Sequence, residues 1–294
     1  MKIRVANAPV SWGIMEVEGW SPPLAYATFL DELKAAGYEG TELGPYGYLP
    51  TDPRTLRSEL EGRSLTLTSA FVPLRLKQPG ADLTEARPVG VLLRDLGARY
   101  LVLSDALWPE REAVAGRVEQ SHIRLTDTEW RTLAENVRAV SEMAAGLGLR
   151  CVFHHHVGTY IETPGEVARL LDITDVGLCL DTGHYAYGGG DPVEAVRTFG
   201  RRVEYLHFKD VDPIRLRAAN EARLSFLDGV RAGAFCELGA GCVRFPNLLA
   251  ELDRIGYDGW AVVEQDIDAS KPGSRTPFES ARASREYLRA HLAI

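Results

Sequence analysis

Residues 150–208 read RCVFHHHVGTYIETPGEVARLLDITDVGLCLDTGHYAYGGGDPVEAVRTFGRRVEYLHF and alternate short apolar runs with longer helical patterns. The apolar runs are rich in β-branched residues, which predicts strands buried on both faces of a sheet. These strands are predicted at Arg150–His154, Val176–Asp181 and Val203–Phe208. The two intervening segments each begin with proline, which favours the first turn of a helix, and are predicted as the helices Pro164–Leu171 and Pro192–Phe199. The order strand–helix–strand–helix–strand predicts parallel strands joined by helical crossovers.

The same alternation continues over the rest of the chain. Five further strands are predicted at Ile3–Ala8, Gly40–Leu43, Leu65–Phe71, Tyr100–Leu103 and Gly259–Glu264. Six further helices are predicted at Pro23–Ala36, Pro53–Glu61, Thr84–Leu96, Asp127–Leu147, Phe245–Ile255 and Pro277–Leu292. Eight β-then-α units predict an α/β protein with one (β/α)8 TIM barrel domain over residues 1–294. A doubly wound open sheet is the alternative, because alternation alone does not show whether the sheet closes.

Composition narrows the function classes. The chain has 294 residues, 45% hydrophobic residues and a net charge of −8, as expected of a globular domain and not of a disordered chain. The acidic balance argues against a nucleic-acid partner, and no apolar run is long enough to predict a membrane span. Four cysteines without a CxxC pair predict reduced thiols in a cytoplasmic protein. The short apolar N-terminal run predicts a first strand and not a signal peptide.

Candidate metal ligands lie where the last four strands end, in the runs HHH, LDTGH, LHFKD and VVEQD. Side chains alternate inward and outward along barrel strands, and the carboxyl ends of the strands carry the active site. Each strand can therefore aim one ligand at a common point. The matching residues are His154, Asp181, His207 and Glu264. Two imidazoles and two carboxylates suit Mn²⁺ or Co²⁺ first, and Zn²⁺ or Fe²⁺ as alternatives, better than Ca²⁺ or Mg²⁺.

Each of these residues alone has an ordinary structural explanation, such as helix capping by Asp181. Four in register on successive strands favour a metal site, because no packing rule requires polar groups at all four ends. In the triple-histidine run, alternation places His154 and His156 on one side of the strand and His155 on the other.

Several longer stretches resemble the xylose-isomerase-like superfamily of metal-dependent barrels, which includes sugar isomerases, epimerases and endonuclease IV. Within it, the chain is most similar to the inosose dehydratases. The resembling stretches are residues 37–44, 52–60, 154–171, 176–192, 206–211, 224–241 and 257–266. Two stretches depart from the dehydratase pattern. A lysine usually follows the position of Glu42, where this chain reads GPYGYLP, and the loop in NAPVSWGIMEVEGW also differs.

The resemblance implies one divalent metal ion at the four positions above and a small polyhydroxylated carbonyl compound as substrate. It also implies site roles for Glu42, His184 and Lys209. We further expect Trp12 to stack on a sugar ring and Glu162 to contact substrate. A homodimer or homotetramer is the expected assembly.

The resemblance implies dehydration of a keto-cyclitol such as 2-keto-myo-inositol, by α-proton abstraction, a metal-stabilised enolate and loss of the β-hydroxyl group. The resemblance implies that isomerases and epimerases of the superfamily have a glutamate at the ends of strands five and eight. At these two positions this chain has His154 and Glu264. One base, Glu264, with His156 or His184 assisting departure of the hydroxyl group, therefore favours elimination. A keto-sugar isomerase or epimerase is the alternative. A nuclease or a non-catalytic sugar sensor has less support.

Overall fold

A computed structural model describes residues 2–17, 19–20, 24–270 and 275–294. Nine parallel strands form one sheet in the order β3-β2-β1-β11-β8-β7-β6-β5-β4, and β9 and β10 form a small antiparallel hairpin. The strands are β1 (Lys2–Asn7), β2 (Gly40–Glu42), β3 (Thr66–Ser69), β4 (Phe71–Leu74), β5 (Tyr100–Asp105), β6 (Arg150–His154), β7 (Gly177–Asp181), β8 (Val203–Phe208), β9 (Asp210–Val211), β10 (Phe235–Cys236) and β11 (Asp258–Val263).

The sheet closes on itself through its third strand. Strand β3 pairs with β2, and β4 pairs with β5, although only Ala70 separates them. The carbonyl oxygen of Ala70 accepts a hydrogen bond of 2.9 Å from the Val102 amide, which joins the two halves to one cylinder. The predicted single strand Leu65–Phe71 is therefore corrected to two segments, because each half follows a different neighbour. The predicted TIM barrel is confirmed, and the open doubly wound sheet is wrong.

Helices cover the outside of the barrel. They are α1 (Tyr26–Ala36), α2 (Pro53–Glu61), α3 (Ala86–Leu96), α4 (Pro109–Glu112), α5 (Asp127–Gly146), α6 (Pro164–Ile173), α7 (Thr182–Tyr187), α8 (Pro192–Phe199), α9 (Pro213–Glu221), α10 (Phe226–Arg231), α11 (Phe245–Arg254) and α12 (Pro277–Leu292), with short 3₁₀ turns at Pro9–Trp12, Val118–Gln120 and Gly200–Arg202. The predicted helix boundaries agree within about two residues, except at the start of the first helix, which is predicted at Pro23, outside the described residues, and observed at Tyr26.

The starts of the long helices follow from capping signals in the sequence. Thr126, Thr163 and Thr276 each begin a helix with a capping box, in which the threonine and a glutamate three residues later bond each other's backbone amides. The apolar face of each helix packs on the outward side chains of the strands, such as Leu178 and Leu206. This outer layer is the main hydrophobic core.

A second, smaller core fills the inside of the barrel. Val152, Cys179, Tyr205 and Val262 lie there, one from each of the strands β6, β7, β8 and β11. Because strand side chains alternate, the residues two positions further along these strands also point inward, at the carboxyl end of the barrel. The fold therefore places four sequence-predicted site residues around one axis.

Two further expectations concern the surface and the cysteines. Among the described residues, no helix combines the length and apolar character that a bilayer crossing requires. Cys151, Cys179, Cys236 and Cys242 are all unpaired, as expected for reduced thiols.

Candidate active site

Four buried side chains meet at the carboxyl end of the barrel, one from the end of each of β6, β7, β8 and the residue after β11. Their ligating atoms all lie within 4.8 Å of one another, and we call them the ligand cluster: His154, Asp181, His207 and Glu264. All four are buried, and the most exposed of them retains 7% of its surface. The structure brings together the four residues that the sequence selects.

Inside the ligand cluster, nitrogen and oxygen atoms face one another. His154 Nε2 lies 3.4 Å from Asp181 Oδ2, and His207 Nδ1 lies 3.8 Å from the same oxygen. His207 Nδ1 is also 3.3 Å from Glu264 Oε2. These separations leave the lone pairs of four groups directed at a shared point.

Glu42 orients one of these groups from behind. Its Oε1 lies 2.9 Å from His207 Nε2 and accepts a hydrogen bond of 2.8 Å from the Ser69 hydroxyl group. A carboxylate that accepts from the second nitrogen of a histidine fixes the ring and its tautomer, so that the first nitrogen presents its lone pair. Glu42, which the sequence suggests as a substrate contact, lies where it can hold His207.

Lys209 and Asp266 extend the ligand cluster. The Lys209 ammonium group is 3.3 Å from Asp181 Oδ2, 3.1 Å from Glu264 Oε2 and 2.8 Å from Asp266 Oδ1. It also lies 3.0 Å from His184 Nε2. His184 is fully buried and lines neither chamber, so it acts on a ligand through its neighbours Lys209 and His156, whose ring centroid lies 3.8 Å from its own.

Mutual contact sets the charges of the ligand cluster. Although burial opposes ionisation, His207 and Lys209 lower the pKa of Glu264 to about 2. Burial likewise opposes the charge of Asp181, but Lys209 holds its pKa well below the ordinary value. Burial lowers the pKa of His154, which is then neutral at pH 7. Burial opposes the charge of His207, but Cys179, Glu264 and Glu42 raise its pKa well above the ordinary value. Because carboxylates bind metals when ionised and imidazoles when neutral, His207 must release a proton when it binds a metal ion.

The ligand cluster fits a divalent metal ion. Asp181 Oδ2 and His207 Nδ1 are buried and make no hydrogen bond, which is rare for polar atoms in a folded interior. His154 Nδ1 is likewise without a hydrogen bond. Two nitrogen and two carboxylate ligands match the preferences of late first-row divalent ions. These residues could therefore hold one such ion.

Two connected cavities open above the ligand cluster. The inner chamber, about 60 Å³ in volume, is lined by His154, His207, Lys209 and Glu264 among others. The outer chamber has about 450 Å³ and mostly apolar walls. Sites for small molecules usually have about 300–1,000 Å³, so a ring must extend from the inner into the outer chamber. The shared wall consists of Met15, Glu16, Phe71 and His156.

His156 presents one ring nitrogen to this junction. Its Nδ1 lies 2.7 Å from the carbonyl oxygen of Val157, and because a carbonyl group only accepts, Nδ1 carries the hydrogen atom. Burial lowers the pKa of His156 well below its usual value. Phe226 packs edge-on against the ring, with centroids 5.1 Å apart. The long connection between β9 and β10 thus covers the site, as its length predicts.

Two candidate residues lie away from the chambers. Trp12 is buried in the outer core, where its Nε1 donates to Glu32 and its ring packs edge-on against Phe29. It does not line either chamber, and its contacts are those of a core residue, so the predicted stacking on a sugar ring stays a prediction.

Glu162, which the sequence suggests as a substrate contact, makes the contacts of a structural anchor, and its contact with substrate stays a prediction. Its two oxygen atoms accept backbone hydrogen bonds of 2.8 Å from Gly116 and Gly158. Arg111, which is fully buried, lies 3.9 Å from Glu162 and makes a bidentate pair with Glu166 at 2.9 Å. We call these three charged residues the Arg111 cluster. They hold the loops around the barrel mouth together.

Known proteins resemble this chain in sequence and in fold. A family model described as the xylose isomerase-like TIM barrel matches residues 30–291. This chain belongs to the xylose isomerase-like TIM barrel family. The rhizopine catabolism protein MocC of Rhizobium meliloti is 37% identical, over 98% of this chain and 88% of its own length. An inosose dehydratase of Lacticaseibacillus casei is 32% identical, over 100% of this chain and 99% of its own length. The solved IOLI protein with a bound zinc atom has a TM-score of 0.71 and 14% identity, covering 98% of this chain and 97% of the other.

This family member has site residues that sequence reasoning missed. Asp266 lies two positions after Glu264, so strand alternation gives a signal for it. Glu16 and Phe71 line both chambers, but neither carries a periodic signal, because the path of the loop after β1 and the break in the third strand are set by tertiary packing.

Proposed function

We propose that this protein is a metal-dependent hydro-lyase that removes water from a keto-cyclitol such as 2-keto-myo-inositol. The observation that carries the proposal is the ligand cluster, which faces a chamber with Lys209 beside it. Relatives named inosose dehydratase, 32% identical over the whole chain, support the substrate class. Unpaired cysteines agree with a cytoplasmic enzyme.

His154, Asp181, His207 and Glu264 would hold the metal ion. Bound there, a divalent cation supplies Lewis-acid stabilisation of negative charge on a carbonyl oxygen. Mn²⁺ or Co²⁺ is our first assignment, with Zn²⁺ or Fe²⁺ as alternatives.

The chain's own residues supply the remaining steps. A base must take the proton next to the carbonyl group, and Glu264 and His156 both face the substrate chamber. Glu264 already contacts His207 and Lys209, whereas His156 Nε2 makes no hydrogen bond with any described residue. We therefore assign proton removal to His156 and keep Glu264 as a ligand. Lys209 donates to a substrate oxygen, and His184 positions Lys209.

The alternative function is a keto-sugar isomerase or epimerase of the same family. Epimerisation needs a second acid–base group on the opposite face of the substrate. Glu162, which the sequence suggests as a substrate contact, is held by backbone hydrogen bonds from Gly116 and Gly158 and lines neither chamber. This placement favours elimination.

The test uses enzyme stripped by chelation and then reconstituted with Mn²⁺ or Co²⁺ under anaerobic conditions. We expect metal-dependent conversion of 2-keto-myo-inositol to a product with enone or enolised-diketone absorbance. Turnover of a ketohexose without any such product would support the isomerase alternative. Full activity after exhaustive chelation would contradict both functions.

A further inference from the structure

Among the acidic residues of the barrel mouth that have no role so far, Glu16 lies nearest to the ligand cluster in one respect: it also lines the inner chamber. Glu16 lies on the loop after β1 and lines both the inner and the outer chamber. It shares the wall between them with His156 and Phe71. Solvent in the chambers reaches its side chain, but protein surrounds it. Among the described residues it makes no ion pair.

Loss of a hydroxyl group needs a proton donor, because hydroxide is a poor leaving group. The histidines that the sequence offers are poorly placed to donate. His184 Nε2 faces Lys209 and Asp266 and is shut off from the chambers. His156 directs its Nδ1–H at the Val157 carbonyl group and presents only Nε2 to the junction.

We propose that Glu16 is the catalytic acid that protonates the departing β-hydroxyl group. The assignment rests on the proposed dehydratase function. A ring that reaches the ligand cluster from the outer chamber must pass the shared wall, where Glu16 and His156 both lie. An acid and a base at one junction suit the two adjacent carbon atoms of an elimination.

The step balances as follows. His156 takes the α-proton, and the electron pair of that C–H bond becomes the carbon–carbon double bond. The C–O bond to the β-hydroxyl group breaks, its electron pair stays on oxygen, and the carboxyl proton of Glu16 completes a water molecule. Glu16 is left as a carboxylate and His156 as an imidazolium, and proton exchange with solvent restores both.

The surroundings of Glu16 keep a proton available. Although the Glu16 side chain is exposed to solvent, the protein atoms that surround it raise its pKa above the ordinary value of a carboxyl group, and the carboxylates of Glu264, Glu42 and Asp266 add to the effect. A raised pKa favours the protonated form, which a general acid requires.

The experiment compares Glu16→Gln with the unmodified enzyme, both loaded with Mn²⁺, on two compounds. One is 2-keto-myo-inositol, and the other is its analogue with fluorine in place of the departing hydroxyl group. Fluoride leaves without protonation. We expect Glu16→Gln to dehydrate the first compound at least about 100-fold more slowly and to eliminate fluoride within about fivefold of the unmodified rate. Exchange of the α-proton with D₂O should also stay within about fivefold.

Glu61→Gln, the same substitution at an exposed position of α2, is the matched control and should behave as the unmodified enzyme. Metal content and melting temperature show that each variant is folded and loaded. Equal loss of both eliminations, or no loss of dehydration, in folded Glu16→Gln would overturn the assignment. Absence of dehydration by the unmodified enzyme would instead overturn the proposed function.

Discussion

Two buried groups of charges lie near the barrel mouth, and they differ in how their polar atoms are satisfied. In the Arg111 cluster, one guanidinium group pairs with two glutamates and backbone amides complete the carboxylate contacts. In the ligand cluster, buried atoms of Asp181 and His207 have no hydrogen bond and face a chamber. In the first group every carboxylate oxygen of Glu162 and Glu166 has a partner, and only Arg111 Nε is buried without one. In the second group the unpartnered atoms face a chamber, where they could hold a cation.

The difference separates glutamates that look alike in sequence. Glu162 and Glu264 both follow a strand, and both are buried. Glu162 stabilises loops, whereas Glu264 belongs to a set of acceptors that exceeds the donors around it. An excess of acceptors toward a cavity distinguishes the candidate site from a structural ion pair.

The largest effect is expected when the Arg111 cluster loses its guanidinium group. Arg111→Met leaves Glu166 and Glu162 without their buried partner, which should lower the free energy of unfolding by about 3–5 kcal/mol. Urea denaturation measures it. Metal content of the folded fraction should not change. A loss below about 1 kcal/mol would show that the cluster is not the anchor that its contacts indicate.

The next largest effect is expected in the ligand cluster. His154→Ala removes a ligand, so metal affinity should fall by more than the 10–100-fold typical of residues behind the ligands. Metal titration followed by elemental analysis provides the measurement, with exposed His122→Ala as control. Unchanged affinity would remove His154 from the ligand set. Stability of the metal-free protein should change little.

Glu42→Gln tests the residue behind His207. A neutral amide can still bond the ring but no longer supports it with negative charge, so metal affinity should fall by about 10–100-fold. Exposed Glu39→Gln on the preceding turn serves as the comparison. If both variants bind metal equally well, the contact between Glu42 and His207 has no part in the site.

The smallest effect is expected outside both clusters. Trp12→Phe removes the hydrogen bond to Glu32 and should lower stability by about 1 kcal/mol, with turnover unchanged. Thermal unfolding and steady-state kinetics together measure this. A selective rise in KM would show instead that Trp12 contacts the substrate.

Most of the fold could be predicted from sequence, because parallel strands buried on both faces carry continuous apolar runs and the helices carry clear start signals. The ligand cluster could be predicted for a related reason. Alternation along a strand links His154, Asp181, His207 and Glu264 to inward positions once a barrel is assumed.

The two predicted site residues that line neither chamber lie on irregular segments. Trp12 belongs to a 3₁₀ turn and Glu162 to the loop before α6, where no period relates a residue to the barrel axis. The segment after β9 forms the two short helices α9 and α10, which are separated at Ala222–Ser225. Arg223 there has a positive φ of 53°, which ends a helix.

The interruption at Ala70 has a mechanical consequence. The third strand of the barrel pairs with β2 through its first half and with β5 through its second half, and we call this change of partner at Ala70 the seam. If the barrel opened at the seam, the sheet would have two edge strands with unpaired backbone groups, which can pair with other chains. We therefore expect the backbone amides beside Ala70 to exchange with deuterium before those of the other strands. Substitutions that weaken strand pairing there should increase aggregation at high protein concentration.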